Sequence, residues 1–454
     1  MSGPSGPGDV HRAFDEALLK RTHYYWTVLG ALADYLDAGA IVAGAASLPI
    51  WVQYFHLTPF LVALLAALSA NSFGSALGAL ASAPLGDAFG RKTIYTYDLL
   101  FYTLGTVLIA LANNFVILFI GYLIMGLAVG VDVPVSWSLI AEIAPTRFRS
   151  RLMAFINILW YLGPIVVLLI GIATVPLGSE SFRVIFASLA AVALITWALR
   201  RTLTESPRWA LLTGKLEQVK EAAEKLGINV DVSKLQAAQE RLGLRDRLRE
   251  VWKYKKGIGI GFWANFLWYI PASTFGFFLP YLVTSIAHSN IVIADLVDIG
   301  WFATAQSMFI VYMFIADKVG RNVLYGISAA ICAIAFLFPT FLPFTIFWVV
   351  LLNVLLFGFG HGIGVFPVGT AWQAELLPTE VRATGQAFVW TFLRTTIGIW
   401  SLIVPFIVLL PNGYSYIAGI SAALFIVGVV WGFKWGPRTQ GKSLEEIRKE
   451  LYGK

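Results

Sequence analysis

Across 454 residues, 58% are hydrophobic and only 13% charged, whereas a soluble domain carries about 25% charged residues. That balance excludes a soluble enzyme or regulatory domain and places the chain in the bilayer. The formal net charge of +7 does not point to nucleic acid, because its cations are confined to one set of alternating loops.

The opening "MSGPSGPGDV" reads as part of a polar tail, 1–24, with no cleavable signal expected ahead of the first span. A helix needs about 20 apolar residues to cross the hydrocarbon core. Runs of that kind lie at 25–51, 59–85, 94–112, 115–140, 152–175, 182–199, 257–287, 293–315, 323–342, 344–370, 386–410 and 414–434. The expected fold is therefore an all-α membrane protein of twelve transmembrane helices, because the alternation of barrel strands is missing. Lys and Arg gather at Arg12, Lys20 and Arg21, at Arg91 and Lys92, at Arg147, Arg149 and Arg151, through 200–256, at Lys318, Arg321 and Arg382, and from Lys434 onward. Loops such as "WVQYFHLT" and "PNGYS" carry none, with Arg183 the exception. The bias puts both termini and the 200–256 segment in the cytoplasm of a plasma-membrane protein. Segment 200–256, with "LEQVKEAAEKLG", reads as a linker of short amphipathic helices. It joins a six-helix bundle at 25–199 to a second at 257–434, and 435–454 forms a cytoplasmic tail. The single cysteine, Cys332, falls in an apolar span and reads as packing.

The two halves repeat. Asp87-x-x-Gly90-Arg91 after the second span matches Asp317-x-x-Gly320-Arg321 after the eighth. Glu142-x-x-Pro145-x-x-x-Arg149 after the fourth matches Glu375-x-x-Pro378-x-x-x-Arg382 after the tenth. Duplicated halves place a binding site near the midplane, where they meet. Charges at helix ends complement dipoles and form pairs, so these eight charged residues are candidates for a cytoplasmic gate that pairs across the bundles. A plainer reading makes the cations topology signals only.

On these motifs the chain resembles the major facilitator superfamily over essentially its whole length. Leu85, Asp87, Gly90, Arg91 and Lys92 follow its G-x-L-x-D-x-x-G-R-K loop, with Ala83 and Ala88 as departures. "ESPRW" (205–209) and "GPRTQGKSLEEI" (436–447) resemble the sugar-porter-like branch, with Arg438 and Gln440 departing from its pattern.

Charges inside the spans carry the functional reading. At 1.5 Å per residue, Asp34 and Asp37 lie roughly 13 to 18 Å into the first span, Asp132 about 15 Å from Glu142, and Arg394 about 13 Å from Gly385. Each such charge costs about 2.5–3.5 kcal/mol on insertion scales, so four in one layer point to function. An interhelical tie between one Asp and Arg394 is the plainer alternative, yet it would cross the transport pathway. Asp-x-x-Asp in the first span and Asp132 in "VDVPVS" resemble proton-coupled phosphate symporters, which implies proton coupling by Asp34, Asp37 and Asp132. "FLR" at Arg394 is similar to organic-anion and nicotinate-type relatives. The seventh-span "NFLWYIPAS" puts Asn265, Tyr269 and Ser273 where phosphate symporters carry acidic and aromatic ligands, so inorganic phosphate is disfavoured. Tyr122 replaces the sugar porters' fourth-span Arg, whereas Asn157 fits their fifth-span Gln.

A lone guanidinium suits a carboxylate, which it holds bidentately. The expected substrate site is Arg394 with Asn157, Trp160, Tyr161, Asn265, Trp268, Tyr269 and Trp372, although for each aromatic a packing role is the plainer reading. His361 reads as an interhelical hydrogen-bonder, and Asp98 as reaching the cytoplasmic interface. The sequence offers no metal-ligand cluster, nucleotide loop or nucleophile triad, so no enzyme and no cofactor beyond a coupling proton is expected. The expectation is a monomeric secondary transporter in the lipid bilayer, moving a small organic anion with protons by alternating access. A sugar or polyol transporter is the alternative. A transporter-like nutrient sensor is a third reading, which the roughly twenty-residue tail after the last span disfavours.

Overall fold

The computed structural model describes residues 7–230, 249–316, 318–377, 379–442 and 444–453, and its regular structure there is helical, with no strand among the described residues. The first part of the chain holds α1 (Pro7–Asp15), α2 (Arg21–Tyr54), α3 (Pro59–Ala67), α4 (Phe73–Phe89), α5 (Arg91–Ala110), α6 (Phe115–Ile143), α7 (Thr146–Thr174) and α8 (Ser181–Arg200). Two short helices, α9 (Pro207–Leu212) and α10 (Leu216–Leu226), follow. The second part holds α11 (Lys255–Ser285), α12 (Ile291–Ile315), α13 (Arg321–Phe341), α14 (Phe347–Gly360), a π-helical turn (His361–Val365), α15 (Phe366–Glu375), α16 (Thr379–Val408), α17 (Gly413–Trp435) and α18 (Leu444–Tyr452).

Among the described residues ten stretches are long and apolar enough to cross a membrane, one of them the 46-residue run Phe155–Arg200 that takes in most of α7 and all of α8. Local chemistry starts several helices. Thr58, Asn114 and Asn290 accept from the backbone N–H three residues on, at 3.4, 3.0 and 2.9 Å, and so cap α3, α6 and α12. Large apolar side chains such as Phe101, Phe314 and Trp435 stay exposed, a surface suited to lipid.

Small residues decide which helices touch. A Cβ on Gly130 of α6 would sit 2.7 Å from the Cα of Ser75 on α4, so only glycine allows that crossing. Within the first part α2 packs on α6, α7 and α8, and α5 on α6 and α8; within the second, α13 packs on α14 and α17, and α12 on α14. Between the parts, α2 meets α11, α7 meets α12, and α16 crosses both α3 and α4.

Two interruptions shape the middle of the molecule. Residues 68–72 break the helix between α3 and α4, and the π turn widens the path from α14 to α15. Irregular backbone at such depth is tolerated where it lines a cavity, and π turns recur at functional sites. The linker helix α10 buries Val219, Ala222, Ala223 and Leu226 in a cluster with Trp26 and Leu29 of α2, so it lies against the start of that helix. Segment 231–248 of the expected linker lies outside the described residues.

Candidate functional site

Both interruptions open onto a central cavity that the two parts of the chain line together. On one wall Trp137 of α6 donates its indole N–H to both oxygens of Asp34, at 2.9 and 3.1 Å. One turn on, Asp37 accepts from the Trp160 indole at 3.2 Å and stands 3.6 Å from the Arg394 guanidinium. Arg394 also donates to Asn71, from the break between α3 and α4, and lies 4.9 Å from the centre of the Trp390 ring. Asp37 and Arg394 are each at most 4% exposed, so this pair joins the two parts of the chain across the cavity and away from bulk water.

The facing wall is neutral and polar. Asn265 donates to the Gly261 and Gly369 carbonyls at 2.8 and 3.1 Å and accepts from the Trp268 indole at 3.2 Å. Gln373 and Thr370 of α15 and Asn157 of α7 complete the polar set, while Trp160, Trp268, Tyr269 and Trp390 supply flat apolar faces. The amides also bond to their neighbours: Gln373 accepts from Asn265 at 3.4 Å and donates to the Gln386 carbonyl at 3.4 Å.

Several expected residues stand elsewhere. Asp132 is not held by Arg394. Its partner is Arg200 at the end of α8, with Nη1 3.0 Å from Oδ1 and Nη2 3.2 Å from Oδ2. Asp98 joins them, 3.8 Å from Arg200, and is buried rather than at an interface. Arg200 also donates to the Tyr95 carbonyl at 2.8 Å and lies 3.5 Å over that ring. A fully buried guanidinium needs this many acceptors, and it draws in the carboxylates that its own half provides. A small side cavity of about 200 Å³ brings Asp37, Asp98 and Asp132 to one space. Tyr161 does not line the central cavity; its hydroxyl lies 3.3 Å from His361 Nδ1, tying α7 to the π turn. Trp372 is packed against Tyr325 and Trp431 and donates to the Pro437 carbonyl at 3.1 Å, a place fixed by ring packing away from the cavity.

Of the expected gate, Asp317 and the side chains of Asp87, Arg91, Arg149 and Arg382 lie outside the described residues. Among the described residues, Glu142, Arg321 and Glu375 have partners within their own half. Ser206 donates to Glu142, the Lys92 backbone N–H donates to Glu205 at 2.9 Å, and Arg321 pairs with Glu375 and donates to Thr439 at 3.0 Å. A helix-end carboxylate meets the nearest helix start of its own half first. The two halves therefore build matching clusters, each joining a span end, a span start and the segment after its sixth span.

Asn71, Trp137, Gln373, Trp390 and Arg200 were missed from sequence. Asn71 had a signal, an amide beside serines in an apolar run; the indoles had none, since 16 tryptophans compete.

Comparison with known proteins places this geometry. The model of the family described as "Sugar (and other) transporter" matches residues 39–451. The chain is 36% identical over 444 residues to the minor myo-inositol transporter IolF of Bacillus subtilis (strain 168), covering 97% of this chain and 95% of that one. It is 25% identical to the niacin transporter NiaP of Acinetobacter baylyi, over 97% of this chain and 99% of that one. The xylose transporter XylE from E. coli, in a partially occluded inward-open conformation, superposes with a TM-score of 0.76 at 20% identity, over 93% of this chain and 100% of that one. The chain therefore belongs to the sugar (and other) transporter family of the major facilitator superfamily and is a multi-pass membrane transporter, not an enzyme.

Proposed function

We propose that this transporter carries a neutral polyol or sugar together with protons, by alternating access between two six-helix bundles. The observation that carries the reading is the engaged state of Arg394. With Asp37 and Asn71 on its guanidinium, Arg394 is engaged ahead of any carboxylate, while Asn157, Asn265, Thr370 and Gln373 line the same cavity as neutral polar groups. The organic-anion expectation yields to its sugar or polyol alternative on that ground, and the 36% identical myo-inositol transporter supports the same direction.

In this reading α3 with α4, and α14 with α15, each count as one interrupted span, giving twelve. Residues 25–199 and 257–434 are the bundles, both termini and the linker are cytoplasmic, and a monomer in the plasma membrane does the work. Asp37 takes the coupling proton, with Asp34 and Asp132 reached through the cavity and its side chamber. A neutral Asp37 loosens Arg394, so that the guanidinium and Asn71 turn to a substrate hydroxyl. Burying a bare carboxylate opposes the occluded state, which links proton and substrate. The matching end clusters brace each bundle as it rocks.

Uptake into proteoliposomes with acid outside tests this. Myo-inositol or a hexose should accumulate, and Asp37→Asn should abolish accumulation while sparing exchange of labelled for unlabelled substrate. Accumulation of nicotinate with no polyol or sugar uptake would overturn the substrate class.

A further inference from the structure

A second Asp-x-x-Asp, unused by that reading, lies on α12. Asp295 and Asp298 are 1% and 0% exposed, and Trp301 follows three residues on. Among the described residues Asp295 Oδ1, both Asp298 oxygens and Trp301 Nε1 have no hydrogen-bond partner. The row continues to His361, whose Nε2 also lacks one and whose ring centre is 5.9 Å from that of Trp301. Trp301 and His361 line the central cavity, so unsatisfied buried groups run from the first turns of α12 to the substrate space. Native interiors rarely leave such groups unpaired, and each needs an explanation.

Among the described residues no cation pairs with these acids. The elements packed on α12 are α7, α11, α14 and the π turn. Their Lys and Arg residues are Arg147, Arg149 and Arg151 at the start of α7, and Lys255 and Lys256 at the start of α11. Both starts lie at the far end, because α7 meets Asp295 at Gly171 and α11 meets Trp301 at Phe275 and Gly276, far along the helix from Lys255 and Lys256. The remaining titratable groups are Tyr161 on α7, Tyr269 and Tyr281 on α11, Tyr312 on α12 itself and His361 on the π turn. Asp295 also stands at the seam between the halves, since a Cβ on Gly171 would come within 3.2 Å of its Oδ2.

We propose that Asp298, with Asp295, is a proton-binding station of the transport cycle, separate from the acids of the central cavity. Two carboxyl groups without a cation fit a closed seam as neutral acids. When the seam parts, water reaches them and they ionise. Closure on the outer side then requires a proton from that side, which is a direct way to couple the gradient to the conformational change. The proposal rests on the alternating-access reading and its orientation.

Infrared difference spectroscopy without substrate, on the reconstituted protein and on Asp298→Asn, reads the station as the difference between the two, because the acids of the central cavity are common to both. A protonated-carboxyl band should vanish on an alkaline step and be missing in Asp298→Asn. A band that persists at every pH, or that Asp298→Asn leaves in place, overturns the proposal. In uptake, Asp298→Asn should keep exchange while the accumulation ratio under a pH gradient falls to about one, because a group that cannot bind the proton cannot couple it. Accumulation equal to the unaltered protein's would overturn it. Should that variant not fold, Asp298→Glu should show a displaced titrating band and coupled uptake. Failure of the unaltered protein to accumulate any substrate would count against the symport reading, which the infrared measurement does not depend on.

Discussion

Arg200 shows how strongly one buried side chain is held. It is 0% exposed, bonded to Asp132 and close to Asp98, and it lies over the Tyr95 ring. Replacing it by glutamine would leave two carboxylates in an apolar interior, and breaking a buried pair in this way costs about 3–5 kcal/mol. We expect Arg200→Gln to lower the thermal unfolding midpoint of detergent-purified protein sharply. Asp98→Asn removes the member 3.8 Å from the cation and should lower it far less. Equal losses in the two variants would show that Asp98, not Asp132, balances Arg200. That Asp34, Asp37 and Arg394 would line one cavity was legible from the sequence, because position along a helix converts to height within the bundle. The partner of Asp132 was not. Arg200 ends a span in "WALRR", beside the basic linker, and only the inward turn of its side chain separates it from Arg201.

At the scale of helices, glycines mark two different kinds of contact. Gly130 lets α6 approach α4 inside one half, where a Cβ would lie 2.7 Å from the Ser75 Cα. Gly398 of α16 lies beneath the Phe73 ring of α4, where a Cβ would meet three ring atoms at 2.8 Å, and this contact joins the two halves. Overpacking costs about 1–3 kcal/mol at such sites. Gly130→Val should therefore reduce the folded yield by size-exclusion chromatography, since backbone blocks backbone. Gly398→Val should keep a normal elution profile and slow transport, because it burdens only states in which the halves close there. A normal uptake rate in Gly398→Val would refute that assignment. The helices themselves were legible from hydrophobic runs, whereas the breaks at 68–72 and at the π turn were not. Both lie within apolar sequence, and what they expose becomes visible only beside the cavity they line.

For the whole molecule, orientation is open to a thiol test. Cys332 is the single cysteine and is buried, so introduced thiols report alone. In intact cells Ser179→Cys, in the turn between α7 and α8, should react with a membrane-impermeant maleimide, while Lys220→Cys and Lys449→Cys should react only after permeabilisation. The reverse pattern would invert the cytoplasmic assignment of linker and tail. By itself the sequence determined that the chain is an all-helical membrane transporter of duplicated design. Hydropathy, cation bias and repeated motifs are local or periodic, and each survives being read along one strand of text. Only the tertiary structure decided which charge meets which. It gave Arg394 to Asp37 and Asn71 and Arg200 to Asp132, withdrew Tyr161 and Trp372 from the cavity, and left Asp295 and Asp298 without a cation among the described residues. Those outcomes depend on the rotation of each helix about its own axis, which interhelical packing sets and a run of hydrophobic residues does not encode.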